Sequence, residues 1–268
     1  MLNSSIYSPD EPTLTYQDSY FAFPAHGYTK KDVLLAKSLR AFPIDCTCPI
    51  LIVNKNMMKN NIKSGFKVFL LGKTDHPEVL SILDNIPEVE FIPIEKMKEY
   101  DYSSFLKYPK IAIYPQSTVG MKDYSDFLNL ASPYIKGKFI KGDICNECKK
   151  RWNLLKKLKP ISKSTIIVVG DKDSSNANEF LNIGIEEHPD CLSFLAEIPS
   201  DLDSHLDKID FTRDIYVFSS TSASLKGVKR IVKALKKKLF LFILRHPFKY
   251  MKRPAQSVSD SKSSSFEE

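Results

Sequence analysis

Glycine is scarce, at 9 of 268 residues, and no GxxxxGK[ST] loop is present, which excludes a Walker-type nucleotide site. Long apolar runs are missing too: the longest clean stretch, Leu239–Leu244, is far too short to cross a bilayer, so no stable membrane insertion is expected. The opening segment MLNSSIYSPDEPTLTYQDSY has neither a basic n-region nor an apolar h-region. No secretory signal is therefore expected, and the compartment is read as cytoplasmic and reducing. No aromatic-interleaved basic motif occurs, so nucleic acid is not an expected partner. What is present is a 43% apolar, 26% charged chain, globular and long enough for a sizeable core or two small domains. Its net charge of +7 comes largely from stretches such as KKRWNLLKKLK and KGVKRIVKALKKK. These read as solvated helix faces, or as attractors of an anionic substrate or an acidic partner.

Four of the five cysteines form two close pairs, Cys46-Thr47-Cys48 and Cys145-Asn146-Glu147-Cys148. Each pair follows a short run of strand character, FPID and KGDI. In a reducing compartment such pairs point to metal or redox chemistry rather than to structural disulfides. Thiolates from two distant strand ends suit one soft metal or an iron–sulfur cluster. Cys191 stands alone and is expected to be a buried, small apolar side chain. His188, His205 and His246 are expected at the surface.

One supersecondary unit recurs: an apolar strand, a polar loop, then an amphipathic helix. It occurs in YFAFPAHGYTKKDVLLAKSL, KVFLLGKTDHPEVLSIL, KIAIYPQSTVGMKDYSDFLNLA, STIIVVGDKDSSNANEFLNIG and DIYVFSSTSASLKGVKRIVKAL. This alternation predicts βαβ units, an α/β class and small, mainly parallel sheets flanked by helices. Ligands of such sheets sit beyond the carboxyl ends of the strands. Those ends carry His26, Cys48, His76, Glu78, Gln116, Ser117, Cys145, Ser174, Ser175, Asn176 and Ser222. Boundaries are expected after the CTCP strand, where Pro49 interrupts regular structure, and near 136–142, before a DIC strand. The expected segments are 1–48, 49–142, 143–245 and a disordered Ser- and Lys-rich tail, 246–268. The basic stretch ending in LFLFIL reads as a buried helix end or terminal strand, or as a helix lying on a membrane surface.

The loop DKDSSNANEF offers Ser174, Ser175 and Asn176 as helix caps, with first-turn N–H groups left for phosphate oxygens; an ordinary cap would need only one of them. Ser219-Ser220-Thr221-Ser222 repeats the arrangement in the next unit, and two such loops suggest a diphosphate. His76-Pro77-Glu78 sets an imidazole and a carboxylate at a helix start. The pair can relay a proton to a substrate hydroxyl, or simply cap the helix. His26 in PAHG is a polar tip at a strand end, equally suited to hydrogen bonding within its loop.

In order and spacing, from Phe21 to Leu235, these motifs resemble the IspH/LytB family of 4-hydroxy-3-methylbut-2-enyl diphosphate reductases. PAHGYTKKDVLLAKSLRAFPIDCTCP is similar to the family's SAHG…DATCP segment, with Cys48 at its cysteine and Cys46 at its alanine. GKTDHPEV matches GHxxHPEV, YPQSTVGMKD matches TQTTLSxDD, GDICNEC matches DICxAT and GDKDSSNANEF matches GSKNSSNSNRL. SSTSAS stands in the place of TAGASAP. The resemblance implies a three-lobed α/β protein with a central 4Fe-4S cluster held by one cysteine from each lobe. It implies reductive dehydroxylation of the diphosphate substrate to isopentenyl and dimethylallyl diphosphates, with electrons from a ferredoxin or flavodoxin. Carried over by motif, Cys48 and Cys145 are cluster ligands, Glu78 delivers protons, and His76 and Ser117 surround the hydroxyl. Ser174, Ser175, Asn176, Ser222 and His26 hold the diphosphate.

The chain also departs from the pattern. No cysteine precedes Cys46, and nothing matches the family's CxGVxRA and HNxxV motifs, so the first lobe is expected to be incomplete, or the start to lie upstream. Lys73 replaces the first histidine of GHxxHPE, and Ser117 replaces a threonine. If CTC continues a regular strand, Cys46 and Cys48 share one face about 6–7 Å apart, awkward for adjacent irons. Cys148, at CxxC spacing from Cys145, is the preferred third ligand. Two rival readings are a degenerate diphosphate binder without redox activity and a zinc-stabilised interaction module using CTC and CNEC.

Overall fold

The computed structural model describes residues 19–221 and 223–245; Ser222, His246 and the expected tail lie outside them. The described residues fall into two compact units, one ending at Lys149 and the other beginning at Lys150.

The first unit opens with β1 (Tyr20–Phe23), α1 (Lys30–Ser38) and β2 (Phe42–Asp45), the two strands pairing in parallel. Thr29 caps α1 through a capping box with Asp32, whose side chain accepts the Thr29 N–H at 2.7 Å. Next come α2 (Pro49–Lys63), β3 (Lys67–Gly72), α3 (Pro77–Asn85) and β4 (Glu90–Pro93). β5 (Lys110–Pro115), α4 (Met121–Ala131), β6 (Lys138–Lys141) and the start of α5 (Asn146–Lys156) complete the unit. Four of these strands form one parallel sheet in the order β4-β3-β5-β6. The two central strands, KVFLLG and KIAIYP, are buried after their first residue, the pattern of strands covered on both faces. Val68, Leu70, Ala112 and Tyr114 meet Leu51 and Met58 of α2 and Val79 and Ile82 of α3. By strand alternation Phe69 points the other way, into an aromatic layer where its ring lies 4.7 Å from that of Phe105.

The second unit holds β7 (Thr165–Val169), α6 (Ser175–Glu187), β8 (Leu192–Ala196), β9 (Ile215–Ser219) and α7 (Leu225–Arg245). Its parallel sheet has the order β8-β7-β9. Ile167 and Val169 pack with Phe194, Ala196, Ile231 and Leu235. The α/β class with small parallel sheets flanked by helices is thus what the residues build.

Several local expectations need correction. Neither CTC nor DIC is strand: β2 stops at Asp45 and β6 at Lys141. Both cysteine pairs instead sit at the starts of helices. Pro49 is the first residue of α2, with Cys48 as its N-cap, because proline's fixed φ and missing N–H suit a first helical turn. Cys46 and Cys48 therefore do not share a strand face. His188 is buried at 8% exposure, its Nε2 2.8 Å from the Leu155 carbonyl oxygen, so it is a packing residue rather than a surface one. His205 is half-buried and stacks on Phe194 at 4.1 Å. Cys191 is only half-buried, and burial still pushes its thiol above the usual range. LFLFIL is helical, but its Phe240 and Leu241 are not buried; they are 60% and 42% exposed.

Candidate active site

The chain runs from β3 to β4 on one side and from β4 back to β5 on the other side of β3, so the carboxyl ends of β3 and β5 form a topological switch point, the place where parallel sheets bind ligands. The loops after both strands meet there. Glu78, in the first turn of α3, is 4% exposed. Its two oxygens take the Ser117 N–H at 2.8 Å and the Ser117 hydroxyl at 2.5 Å. Burial raises the carboxyl above the usual carboxylate range, against the pull of these two hydrogen bonds. The group is a poised acid: neutral more readily than a surface glutamate, with a hydroxyl beside it.

His76 is the N-cap of α3, and its Nδ1 accepts the Glu78 N–H at 3.1 Å. That bond leaves the ring proton on Nε2. Burial, then the charges of His26 and Lys73, lower the imidazole to about 4, so it is neutral at pH 7 and Nε2–H is a donor. Behind it Gln116 is fully buried, its Oε1 taking the Lys73 N–H at 2.9 Å and its Nε2 donating to Thr118 at 2.7 Å. Gly72 leaves room for this packing: a Cβ there would lie 2.7 Å from Val79 Cγ2 and 3.1 Å from Gln116 Cβ.

Cys145 immediately precedes α5, and its N–H donates to the Ser117 carbonyl at 3.3 Å, which ties it to the residue that holds Glu78. The Cys148 thiol, then the backbone N–H groups of Cys148 and Glu147, donate to its sulfur and hold it down at about 5, despite burial. Cys145 is therefore a thiolate at neutral pH, the form that ligates metal. Cys148 itself is buried at 2% exposure. Cys48, half-buried, makes no side-chain capping bond to α2. Beside it Thr47 Oγ1 is buried with no hydrogen-bond partner among the described residues. None of the five cysteines is in a disulfide. Among the described residues, no group of three or more His, Cys, Asp or Glu stands in metal-ligating arrangement.

His26 lies in a turn closed by the Gly27 N–H to the Pro24 carbonyl at 3.0 Å, with Gly27 at φ +85. A Cβ on Gly27 would collide with Ser81 Oγ and crowd Lys55 Nζ, so only glycine allows this approach to α2 and α3. The Cys48 N–H binds the Ala25 carbonyl at 2.8 Å, which fixes that cysteine against the same turn. His26 is exposed as a residue, yet partial burial of its ring lowers its pKa, with Asp32 opposing. Lys55, which belongs to no motif, donates to Ser81 at 2.6 Å, and its charge favours the Glu78 carboxylate. Burial lowers its own pKa.

The second unit repeats the device with other chemistry. Ser174 caps α6 by accepting the Ala177 N–H at 3.4 Å, and Ser175 is the first helical residue. Asn176 stands where Glu78 stands in the first unit, two residues past the cap, and is buried. Its Oδ1 takes the Thr221 N–H at 3.2 Å, and Thr221 lies two residues past β9 just as Ser117 lies two past β5. Gly170 makes room as Gly72 does, with Ala177 and Ser220 at its face. Arg151, also unforeseen, donates from Nη1 to both the carbonyl and the hydroxyl of Ser219 at 2.9 Å. The structure thus links His76, Glu78, Ser117 and Cys145 into one network in the first unit, with the charge of His26 acting on His76. It brings Ser174, Ser175 and Asn176 to one loop in the second. Ser222 lies outside the described residues.

A family model described as LytB protein matches residues 5–236. A 4-hydroxy-3-methylbut-2-enyl diphosphate reductase of Malacoplasma penetrans is 26% identical over 62% of this chain and 54% of its own. That numbered 1 of Bradyrhizobium diazoefficiens is 30% identical over 68% of this chain and 56% of its own. The chain spans about half the length of these curated relatives. Among solved structures, the E-1-hydroxy-2-methyl-but-2-enyl-4-diphosphate reductase of Plasmodium falciparum superposes with a TM-score of 0.66 at 22% identity. That match covers 82% of this chain and 68% of the other, a likeness of fold.

Proposed function

Because this chain belongs to the LytB family, we propose that it performs a reductive step in isoprenoid biosynthesis: removal of the hydroxyl of 4-hydroxy-3-methylbut-2-enyl diphosphate. The allylic C–O bond breaks, two electrons and two protons enter, and water leaves with isopentenyl or dimethylallyl diphosphate as product. The observation that best supports this reading is the buried Glu78 carboxyl, raised by burial and bonded twice to Ser117. A carboxyl that burial disposes towards its neutral form can give a proton to a departing hydroxyl. Ser117 orients that proton and relays its replacement. His76, neutral with Nε2–H outward of its cap bond, donates a hydrogen bond to the substrate oxygen without carrying charge.

Cys48 and Cys145 are the residues proposed to hold the iron–sulfur cluster, with Cys148 as third thiol. The three cysteines do not stand in metal-ligating arrangement, but the chemistry of the donors fits one by one: Cys145 is a thiolate, Cys48 is uncommitted to its helix cap, and the Thr47 hydroxyl beside it has no hydrogen-bond partner among the described residues. The cluster, when bound, supplies the electrons, which a ferredoxin or flavodoxin would deliver in turn. In the second unit, Ser174, Ser175 and Asn176 are proposed to meet phosphoryl oxygens at the α6 N-terminus, where first-turn N–H groups favour anions. Arg151 adds a cation at the end of β9. In the first unit, His26 is proposed as a further phosphoryl-binding side chain.

The test is anaerobic turnover of the diphosphate with dithionite as reductant, product by product, in wild type and Glu78→Gln. Loss of at least about a hundredfold in rate with the visible absorption retained supports the assignment. Wild-type turnover in Glu78→Gln sinks it, and a colourless protein that still binds the diphosphate indicates a non-redox relative.

A further inference from the structure

The outer face of α7 takes no part in this chemistry. Lys226, Lys229, Arg230, Lys233, Lys236 and Lys237 are all exposed, and the 21 residues of the helix include no Asp or Glu. The opposite face, Val228, Ile231, Leu235 and Leu239, is spent on the core of the second unit. At 3.6 residues per turn, Lys226, Arg230, Lys233 and Lys237 fall in one stripe about 16 Å long. None of the six exposed cations has an ion pair among the described residues, although Lys238 on the flank pairs with Asp203. The stripe then runs into Leu239–Leu244, six apolar residues in a row. Past the stripe the apolar side chains are no longer confined to the buried face. Phe240 and Leu241 lie on the solvent side, four residues beyond Lys236 and Lys237 respectively.

We propose that this face docks the protein on an anionic lipid bilayer, with the lysine stripe on phosphate headgroups and Phe240 and Leu241 entering the headgroup–acyl boundary. A bilayer presents charge over hydrocarbon along a plane, and a straight row of cations ending in apolar side chains matches that order. A folded acidic protein would have to offer a linear acidic strip with an apolar hollow at one end. The inference is independent of the proposed catalytic reading, since it uses none of its residues.

The full chain is sedimented with vesicles of phosphatidylcholine and of phosphatidylcholine mixed with phosphatidylglycerol. Binding to the mixed vesicles alone is expected. The triple variant Lys229→Glu, Lys233→Glu, Lys237→Glu, checked for an unchanged urea midpoint, should partition on the order of a hundredfold less. Phe240→Ser with Leu241→Ser should still bind at low salt but be released fully by high salt, where wild type is retained in part. A chain that stays in the supernatant with both lipids overturns the proposal. So does one that ignores the vesicles yet binds flavodoxin through these lysines.

Discussion

Replacing Glu78 by glutamine changes one ionisable oxygen and little else. The amide oxygen can keep the Ser117 N–H at the 2.8 Å position, and the amide nitrogen can donate to the Ser117 hydroxyl at the 2.5 Å position. Packing and hydrogen bonding survive, so the variant should fold with near wild-type stability at low pH. The difference grows with pH. A carboxyl raised above its ordinary 4.5 by burial binds its proton more tightly folded than unfolded. Its contribution is therefore complete below pH 4.5 and is lost as pH rises through the folded pKa. Between those limits wild type should lose up to about 1.4 kcal/mol per pH unit relative to Glu78→Gln, and above them the difference should be flat. Other titrating groups, His76 included, are common to both proteins and cancel. Urea midpoints measured across pH 4 to 8 give the curve directly. Parallel profiles, or a variant that loses ground as pH rises, would refute a raised, buried Glu78 and with it the proton-donor argument.

Gly72→Ala should cost about 1–3 kcal/mol in urea unfolding, because its new Cβ meets Val79 at 2.7 Å and cannot be cleared by one flexible side chain; a neutral result contradicts the packing. His76, lowered to about 4 from 6.5, should make wild type lose stability as pH falls from 6.5 towards 4, since the unfolded imidazole takes the proton first. With allowance for its partial exposure the loss is about 1–2 kcal/mol. His76→Asn keeps a capping side chain and should show a flatter profile over the same range. Asn176→Ala removes the acceptor of the Thr221 N–H and should cost about 1–3 kcal/mol, with weaker diphosphate binding by calorimetry; unchanged stability and affinity would exclude Asn176 from both roles.

The parts of the fold that were legible in the sequence are those with strong periodicity. KVFLLG, KIAIYP and TIIVV are long enough and apolar enough to read as doubly covered strands, and the helices after them are amphipathic. The edge strands β4 and β8, and the true position of β6, carry too little pattern to separate from loop. CTC and DIC read as strand because β-branched residues surround them, yet backbone bonds such as Cys48 N–H to Ala25 pull the first into a turn. Site residues showed where side chains cluster after strands, as with His76, Glu78 and Ser117. Lys55 and Arg151 were invisible because each reaches its partner across space from a helix whose sequence reads as surface. The equivalence of Glu78 with Asn176 also needed coordinates, because HPEV and SSNA share no residue.

Central to the proposed function is the binding of inorganic iron by Cys48 and Cys145 next to a buried acid. Its most direct test is iron and acid-labile sulfide content, with the visible absorption spectrum, after anaerobic reconstitution. Wild type, Cys46→Ser and Cys191→Ser should come out brown, while Cys48→Ser and Cys145→Ser should lose the colour and most of the iron. A Cys145→Ser protein with an unchanged spectrum, or a colourless wild type carrying stoichiometric zinc, would contradict it.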